Sequence, residues 1–260
     1  MVALIDLDSI LYTSVYKVVS IGAMKRAIKE HGKELAKEWL LSEVYNEGVN
    51  RCENELLKMQ EYLQSIFLEE ITSYELFITT CSKSFRKEIS QDYKVKRKRN
   101  KYVWTLRDHY KFNNAAYSDT HEADDLIYQR ANELGENNYI VVSIDKDLKQ
   151  IGGYYWSYYK TPERNMDGSI ILNEYGNKAM MFKQTSVEHI SKEDAEGFFW
   201  KQMLMGDSVD GIKALKRVGE KTAEKILKDS KCQWFTVARE YIKRDQKEDF
   251  YLTYNLLKLV

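Results

Sequence analysis

Eight carboxylates fall in four separated stretches of the chain: Asp6; Glu122, Asp124 and Asp125; Asp145 and Asp147; Asp207 and Asp210. Carboxylates a few ångströms apart raise one another's pKa, so gathering so many is costly without cations. Hard divalent ions, Mg²⁺ or Mn²⁺, relieve that repulsion and accept an all-oxygen shell with retained waters. Two such ions, roughly 3.5–4 Å apart, can clamp the attacking and leaving oxygens of an in-line phosphodiester displacement. Each stretch also has an ordinary reading. Acids at a helix N-terminus favour the macrodipole, Asp145 and Asp147 can be helix-capping acids after a strand, and Asp207 and Asp210 can be plain turn residues. The ordered combination, not any one member, points to metal-assisted chemistry.

The cations are segregated from these acids. The chain carries 40 basic and 40 acidic side chains and no net charge, yet residues 94–101, KVKRKRNK, hold six basic side chains in eight positions. The segment KALKRVGEKTAEKILK from Lys213 holds six more. A neutral protein with basic segments can still present a strong local field to phosphate. Cys52, Cys81 and Cys232 are scattered and read as reduced thiols, and the four histidines show no zinc spacing. No apolar run is long enough for a bilayer, and the two acids within MVALIDLDSILY argue against a secretory signal. No membrane association is expected, and the cytoplasm is the default location.

The elements that must position these groups are read from periodicity. VALID is a short strand that ends on an acid. Apolar residues recur at helical spacing from Ile21 to about Ile71, with Gly32 and Gly48 as divisions between two or three helices. YELFIT (74–79) and the stretch near Ala115 to Tyr117 read as further strands, with a helix around Val103 to Tyr110 between them. HEADDLIYQRANEL (121–134) reads as a helix with Thr120 as N-cap, and YIVVSID (139–145) as the clearest strand. Residues 154–185, with a turn at Asn165 to Gly168, read as an appended hairpin, and everything from Ser191 as helical. Strands alternating with helices predict an α/β protein with a buried, mostly parallel sheet, whose ligands lie beyond the carboxyl ends of its strands.

With these motifs in order, VALIDLD, FRKEISQDYKVKR, HEADD, SIDKDL and GDSVDGIKALKRVGEKTA, the sequence resembles the flap endonuclease and 5′→3′ exonuclease superfamily, most of all its phage-encoded members. The resemblance implies a PIN-like catalytic domain over residues 1–190, with a helical arch segment near 84–110. It implies a helical DNA-binding region over 191–260 with a helix-three-turn-helix. Asp6, Glu122, Asp124 and Asp145 are then ligands of a first Mg²⁺ or Mn²⁺, and Asp147, Asp207 and Asp210 of a second, with Asp125 behind them. Lys94 and Arg97 contact the scissile phosphate and stabilise its developing charge. Arg86, Tyr93, Lys96, Lys201 and Arg217 touch DNA, Tyr93 by stacking on a terminal base. Gly219, Lys221 and Thr222 meet duplex phosphates at a helix N-terminus, with a K⁺ or Na⁺ in the turn.

Three departures from the family pattern stand out. The usual Asp after the second strand is absent from Ile78-Thr79-Thr80-Cys81-Ser82-Lys83, with Asp8 as a stand-in. Arg217 replaces the first glycine of Gly-Ile-Gly, and Lys201 is one place out of register. The resemblance implies hydrolysis at a 5′ end, flap or gap of duplex DNA, or on an RNA·DNA hybrid, leaving 5′-phosphate and 3′-hydroxyl. Phage replication or primer removal, in a host bacterial cytoplasm, is the implied setting. Two alternatives stay open: a PIN-type ribonuclease, against which the helix-three-turn-helix argues, and a catalytically weakened DNA-binding module lacking a ligand at Cys81.

Overall fold

The computed structural model describes residues 1–19, 21–67, 70–81, 83–97, 100–158, 160–162, 164–172, 180–182, 187–213 and 215–260. A six-stranded sheet forms its centre. Strand β1 (Val2–Asp6) lies between β2 (Ser73–Phe77) and β4 (Tyr139–Val142). Beyond β2 is the short β3 (Ala115–Ala116), and beyond β4 are β5 (Gly153–Trp156) and β8 (Glu188–Ile190). All neighbours are parallel except the β5–β8 pair at one edge.

The sheet is buried on both faces, which the β-branched runs of β1 and β4 require. Ala3, Ile5, Ile140 and Val142 enter one apolar layer, while Leu4 and Val141 enter the other. The first layer is covered by α1 (Asp8–Val18), α2 (Ile21–Glu43), α3 (Val49–Phe67) and α5 (Lys101–Phe112), the second by α6 (Ala123–Leu134). Between β2 and α5 lies the short α4 (Phe85–Ile89). Chain direction across the sheet reverses beside β1, so the crevice at the carboxyl ends of β1 and β4 is the place where such sheets bind ligands.

Some expected boundaries hold and others are adjusted. The chain turns into α1 at Asp8, so the first strand stops at Asp6. Gly32 does break the helical stretch, with φ 76° and ψ 165°. Gly48 instead closes a π-helical turn, Val44–Gly48, that runs straight into α3. Thr120 is not the cap of α6: Glu122 is, in a reciprocal capping box with Asp125, while the Thr120 hydroxyl lies 3.0 Å from His121 Nδ1. An acid that can accept the exposed N–H groups of the first turn wins over a hydroxyl two places too early.

The segment read as a hairpin divides. Its first strand, β5, joins the main sheet, while β6 (Lys160–Pro162) and β7 (Met180–Phe182) pair separately. The turn at Asn165 to Gly168 is present, bridged by Arg164 and Ile170, and residues 173–179 and 183–185 of the predicted hairpin lie outside the described residues. Helices α7 (Lys192–Met205), α8 (Glu220–Leu227), α9 (Gln233–Lys243) and α10 (Asp249–Leu257) enclose a core of their own. Tyr93 from the α4–α5 connection is part of that core, which fixes the basic segment against the helices. Among the described residues no helix is long and apolar enough to cross a membrane.

Candidate active site

The acids converge because each sits where its element ends. Asp6 is the last residue of β1, and Asp145 follows β4 as the cap of a 3₁₀ turn, Lys146–Ile151. Glu122, Asp124 and Asp125 open α6, and Asp207 and Asp210 occupy the turn after α7. Asp6, Glu122, Asp124, Asp145, Asp147 and Asp210 line one cleft of about 290 Å³ together with Lys94 and Arg97. Asp207 faces a small recess behind it, shared with Asp124, Asp147 and Asp210.

Hydrogen bonds fix most of these carboxylates. Ser143 Oγ donates to Asp6 at 2.7 Å, and the Asp8 N–H to the other Asp6 oxygen at 3.2 Å. The Asp147 N–H donates to Asp145 at 2.9 Å, and Gln202 Nε2 to Asp147 at 2.6 Å. Asp207 accepts the N–H groups of Val209 and Asp210, which closes its turn. The ordinary capping and turn roles are therefore real, and they aim the remaining oxygens.

Burial dominates the electrostatics. It raises Asp6 to about 7, with Asp8 and Asp145 adding repulsion. Asp147 also reaches about 7, by burial and then by Asp145 and Asp207. Asp124 is held well above the usual carboxylate range by burial and by Asp6 and Asp145. Asp210 is raised by burial against the pull of Lys94 and Arg97. Glu122 behaves oppositely: burial pushes it up, but the Lys94 ammonium at 2.6 Å brings it below its ordinary value.

Among the described residues no three His, Cys, Asp or Glu side chains are drawn together tightly enough to hold a metal ion as they stand. The donor set nevertheless fits hard divalent ions. It is oxygen-only, and its carboxyls are pushed toward neutrality by burial and by one another, a strain that a bound cation removes. Asp6, Asp124, Asp145 and Asp147 have oxygens free of basic partners, whereas Glu122 and Asp210 are shared with Lys94 and Arg97.

Three expected site residues take other places. Asp125 is fully buried and holds Arg86 in a two-pronged ion pair at 2.6 and 2.7 Å. Arg86 also donates to the carbonyls of Leu256 and Lys258, both at 2.9 Å, so its guanidinium is consumed inside the protein and is not offered to DNA. Tyr93 is buried and donates its hydroxyl to Glu122 at 3.0 Å, so its ring is no stacking platform for a base. Each change has one cause: a group close to the acids is drawn inward to satisfy them.

The basic groups are divided in their exposure. Lys96 and Arg97 are exposed, while Lys98 and Arg99 lie outside the described residues. Lys201, on α7, pairs with Glu220 and Glu224 of α8 at 2.7 and 2.8 Å, not with the acids of the cleft. Arg217 adopts φ 61°, the left-handed conformation that a glycine at that position would take. Gly219 caps α8, and Lys221 and Thr222 are exposed in its first turn. Sequence reasoning missed Tyr12, Lys87, Trp104 and Arg107, which line the cleft. No local pattern in the sequence marks them out.

No protein-family model matches the chain. A stretch of 152 residues is 24% identical to DNA polymerase I of Borreliella burgdorferi, covering 54% of this chain and 15% of that protein. Among solved structures, a bacteriophage T5 protein co-crystallised with metal ions superposes with a TM-score of 0.57 at 14% identity, over 99% of this chain and 88% of that one. A variant of T5 5′-exonuclease follows at 0.52 and 13%, over 98% of this chain and 85% of that one. A T5 flap endonuclease pseudo-enzyme–product complex with DNA and metal ions gives 0.51 at 13%, over 98% and 87%. Over nearly its whole length the chain therefore shares the fold of these T5 5′-exonuclease and flap endonuclease structures.

Proposed function

We propose that the protein is a divalent-metal-dependent 5′→3′ DNA exonuclease or flap endonuclease. One observation carries this reading: carboxylates from four separated segments line a single cleft whose wall also holds Lys94 and Arg97. That combination suits a phosphodiester, which needs anionic metal ligands and cationic phosphate contacts within the same small volume.

Asp6, Asp124 and Asp145 are assigned to a first ion, with Glu122 beside them. Asp147 and Asp210 are assigned to a second, with Asp207 behind. Two Mg²⁺ or Mn²⁺ ions, when bound, supply positive charge that activates water and offsets charge on the phosphate and the leaving oxygen. Lys94 and Arg97 neutralise the non-bridging phosphate oxygens and, by leaving Glu122 and Asp210, open those carboxylates to cations. Tyr93 holds Glu122 in place through its hydroxyl. The expected products are a 5′-phosphate and a 3′-hydroxyl.

The same reading divides the chain at residues 190 and 191, and the core shared by α7 to α10 supports it. There Gly219, Lys221 and Thr222 offer a helix N-terminus, and Arg217 and Lys96 exposed cations, to duplex phosphates. A monovalent cation in the turn before α8, action on RNA·DNA hybrids and a place in phage replication belong to the same reading.

The test uses end-labelled duplex, flap, RNA·DNA and single-stranded RNA substrates with Mg²⁺, with EDTA, and with D145A. Cleavage of DNA that EDTA and D145A abolish is expected. No cleavage of any substrate overturns the enzyme reading, and cleavage of single-stranded RNA alone favours the ribonuclease.

A further inference from the structure

Most cations of the cleft are matched by its acids: Lys94 by Glu122 and Asp210, Arg97 by Asp210. Lys87 is different. It projects from α4 into the cleft, is half-buried, and among the described residues meets no carboxylate within ion-pair distance. The Cys81 thiol, on the same cleft, feels its charge.

Arg107 flanks the same wall from α5. Its Nε and Nη2 lie 3.0 and 2.9 Å from Asp8 Oδ1, and its guanidinium carbon is 5.1 Å from the Trp104 ring centre and 5.9 Å from that of Tyr12. The same Asp8 oxygen accepts the Thr79 N–H at 3.4 Å. Lys87 and Arg107 therefore bracket the loop from Thr79 to Cys81 that follows β2. That loop carries a thiol and no acid, and among the described residues Lys87 makes no ion pair. A cleft lysine with no ion pair of its own is free to meet an anion.

The anion must fit a cleft of about 290 Å³. That is at the small end of ligand pockets, roughly 300–1,000 Å³, and suits a single nucleotide. Trp104 and Tyr12, both half-buried on the cleft wall, provide flat surface for its base. With the scissile phosphate at the acids, a further phosphate within one nucleotide is the end of the strand. A terminal monoester carries about −1.5 to −2 charges near neutral pH, against one for an internal diester, so a cation with no competing acid favours the terminus.

We propose that Lys87, on the cleft that it shares with Arg107, forms a second phosphate subsite that binds the 5′-terminal phosphate of the attacked strand. The inference rests on the nuclease reading above and adds a preference for 5′-phosphorylated ends.

Fluorescence anisotropy in EDTA on duplexes labelled at the 3′ end, with a 5′-phosphate or a 5′-hydroxyl, tests it. The phosphorylated end is expected to bind about tenfold more tightly, the scale of one charge-assisted contact. The ratio of the two affinities is expected to collapse to about one in K87Q and to survive in K87R. A ratio near one in the parent protein, or one that persists in K87Q, overturns the subsite. Cleavage of both duplexes with Mg²⁺ is scored separately. Equal cleavage without discrimination in binding removes the subsite and leaves the nuclease, whereas absence of cleavage removes the nuclease itself.

Discussion

Lys94 meets Asp210 twice: its backbone N–H donates to the Asp210 carbonyl at 2.9 Å, and its ammonium lies 3.6 Å from the Asp210 carboxylate. The basic segment and the turn after α7, far apart in sequence, are thereby clasped at the edge of the cleft. Lys94 itself has φ 52°, a conformation that residues other than glycine rarely adopt, and the clasp holds it there.

Gly211 makes that clasp possible. It has φ 77°, and a Cβ there would lie 2.6 Å from the Asp92 carbonyl oxygen. G211A is expected to destabilise the protein by roughly 1–3 kcal/mol and to displace Lys94. A lowered denaturant midpoint with reduced kcat is the expected outcome. An unchanged midpoint would show that the two turns are not in close contact.

Removing the Lys94 ammonium is expected to reduce kcat about 10²–10³-fold, the usual scale for one charge-stabilising group. The same change frees Glu122 of its ammonium partner and leaves Asp210 with Arg97 alone, so K94A should bind Mg²⁺ more tightly than the parent. Isothermal titration measures the second effect, and weaker metal binding in K94A would contradict the arrangement.

Asp6 and Asp147 both have pKa values raised to about 7 in the folded chain. Protons bind them more tightly folded than unfolded, so their contribution to stability is present below about pH 4 and is lost as pH rises through about 7. In EDTA the melting temperature should therefore fall between about pH 5 and pH 8. Mg²⁺ should restore it at the upper end, and D6N and D147N should flatten the profile. A melting temperature in EDTA that rises across this range would refute the assignment.

Arg86 and Asp125 are a buried pair, with 3% and 0% of their side chains exposed. R86M leaves the Asp125 charge uncompensated and is expected to cost roughly 3–5 kcal/mol. The double replacement R86M/D125L should recover part of that loss. Urea denaturation of the four-member cycle measures the coupling, and additive effects would mean that the pair does not act as a unit.

C81D places a carboxylate beside Lys87, at the position where the family pattern has one. Mg²⁺ should raise the melting temperature of C81D more than that of the parent. Equal metal-induced shifts would show that the loop after β2 does not reach the ions.

Much of this organisation is legible in the sequence because the acids end regular elements. VALID and YIVVSID are apolar runs that stop at Asp6 and just before Asp145, so the motif and the strand end are one signal. The long helical stretch is legible from its period, and its break at Gly32 from the residue type. Arg86 and Tyr93 were misplaced for a shared reason. Motif position says that a side chain is near the acids, but whether it faces outward to substrate or inward to a carboxylate is decided by packing. Arg86 turns inward because the end of α10 supplies two carbonyls there. Lys87 and Arg107 were missed because their placement depends on how α4 and α5 pack against β2, which no local pattern encodes. The hairpin boundary failed because β5 pairs with β4, a contact that residues 153–156 do not announce.

Arg86 joins the first turn of α6 to the last turn of α10 through Asp125, Leu256 and Lys258. Helix ends are where native proteins open most readily. Here fraying of α10 would strip acceptors from the residue that steadies the base of Glu122, so the two turns should exchange their amide protons together. The lifetime of the acidic cluster is then set by a helix that supplies none of its acids. Slow breathing at that end of the molecule would limit how long a metal ion stays bound.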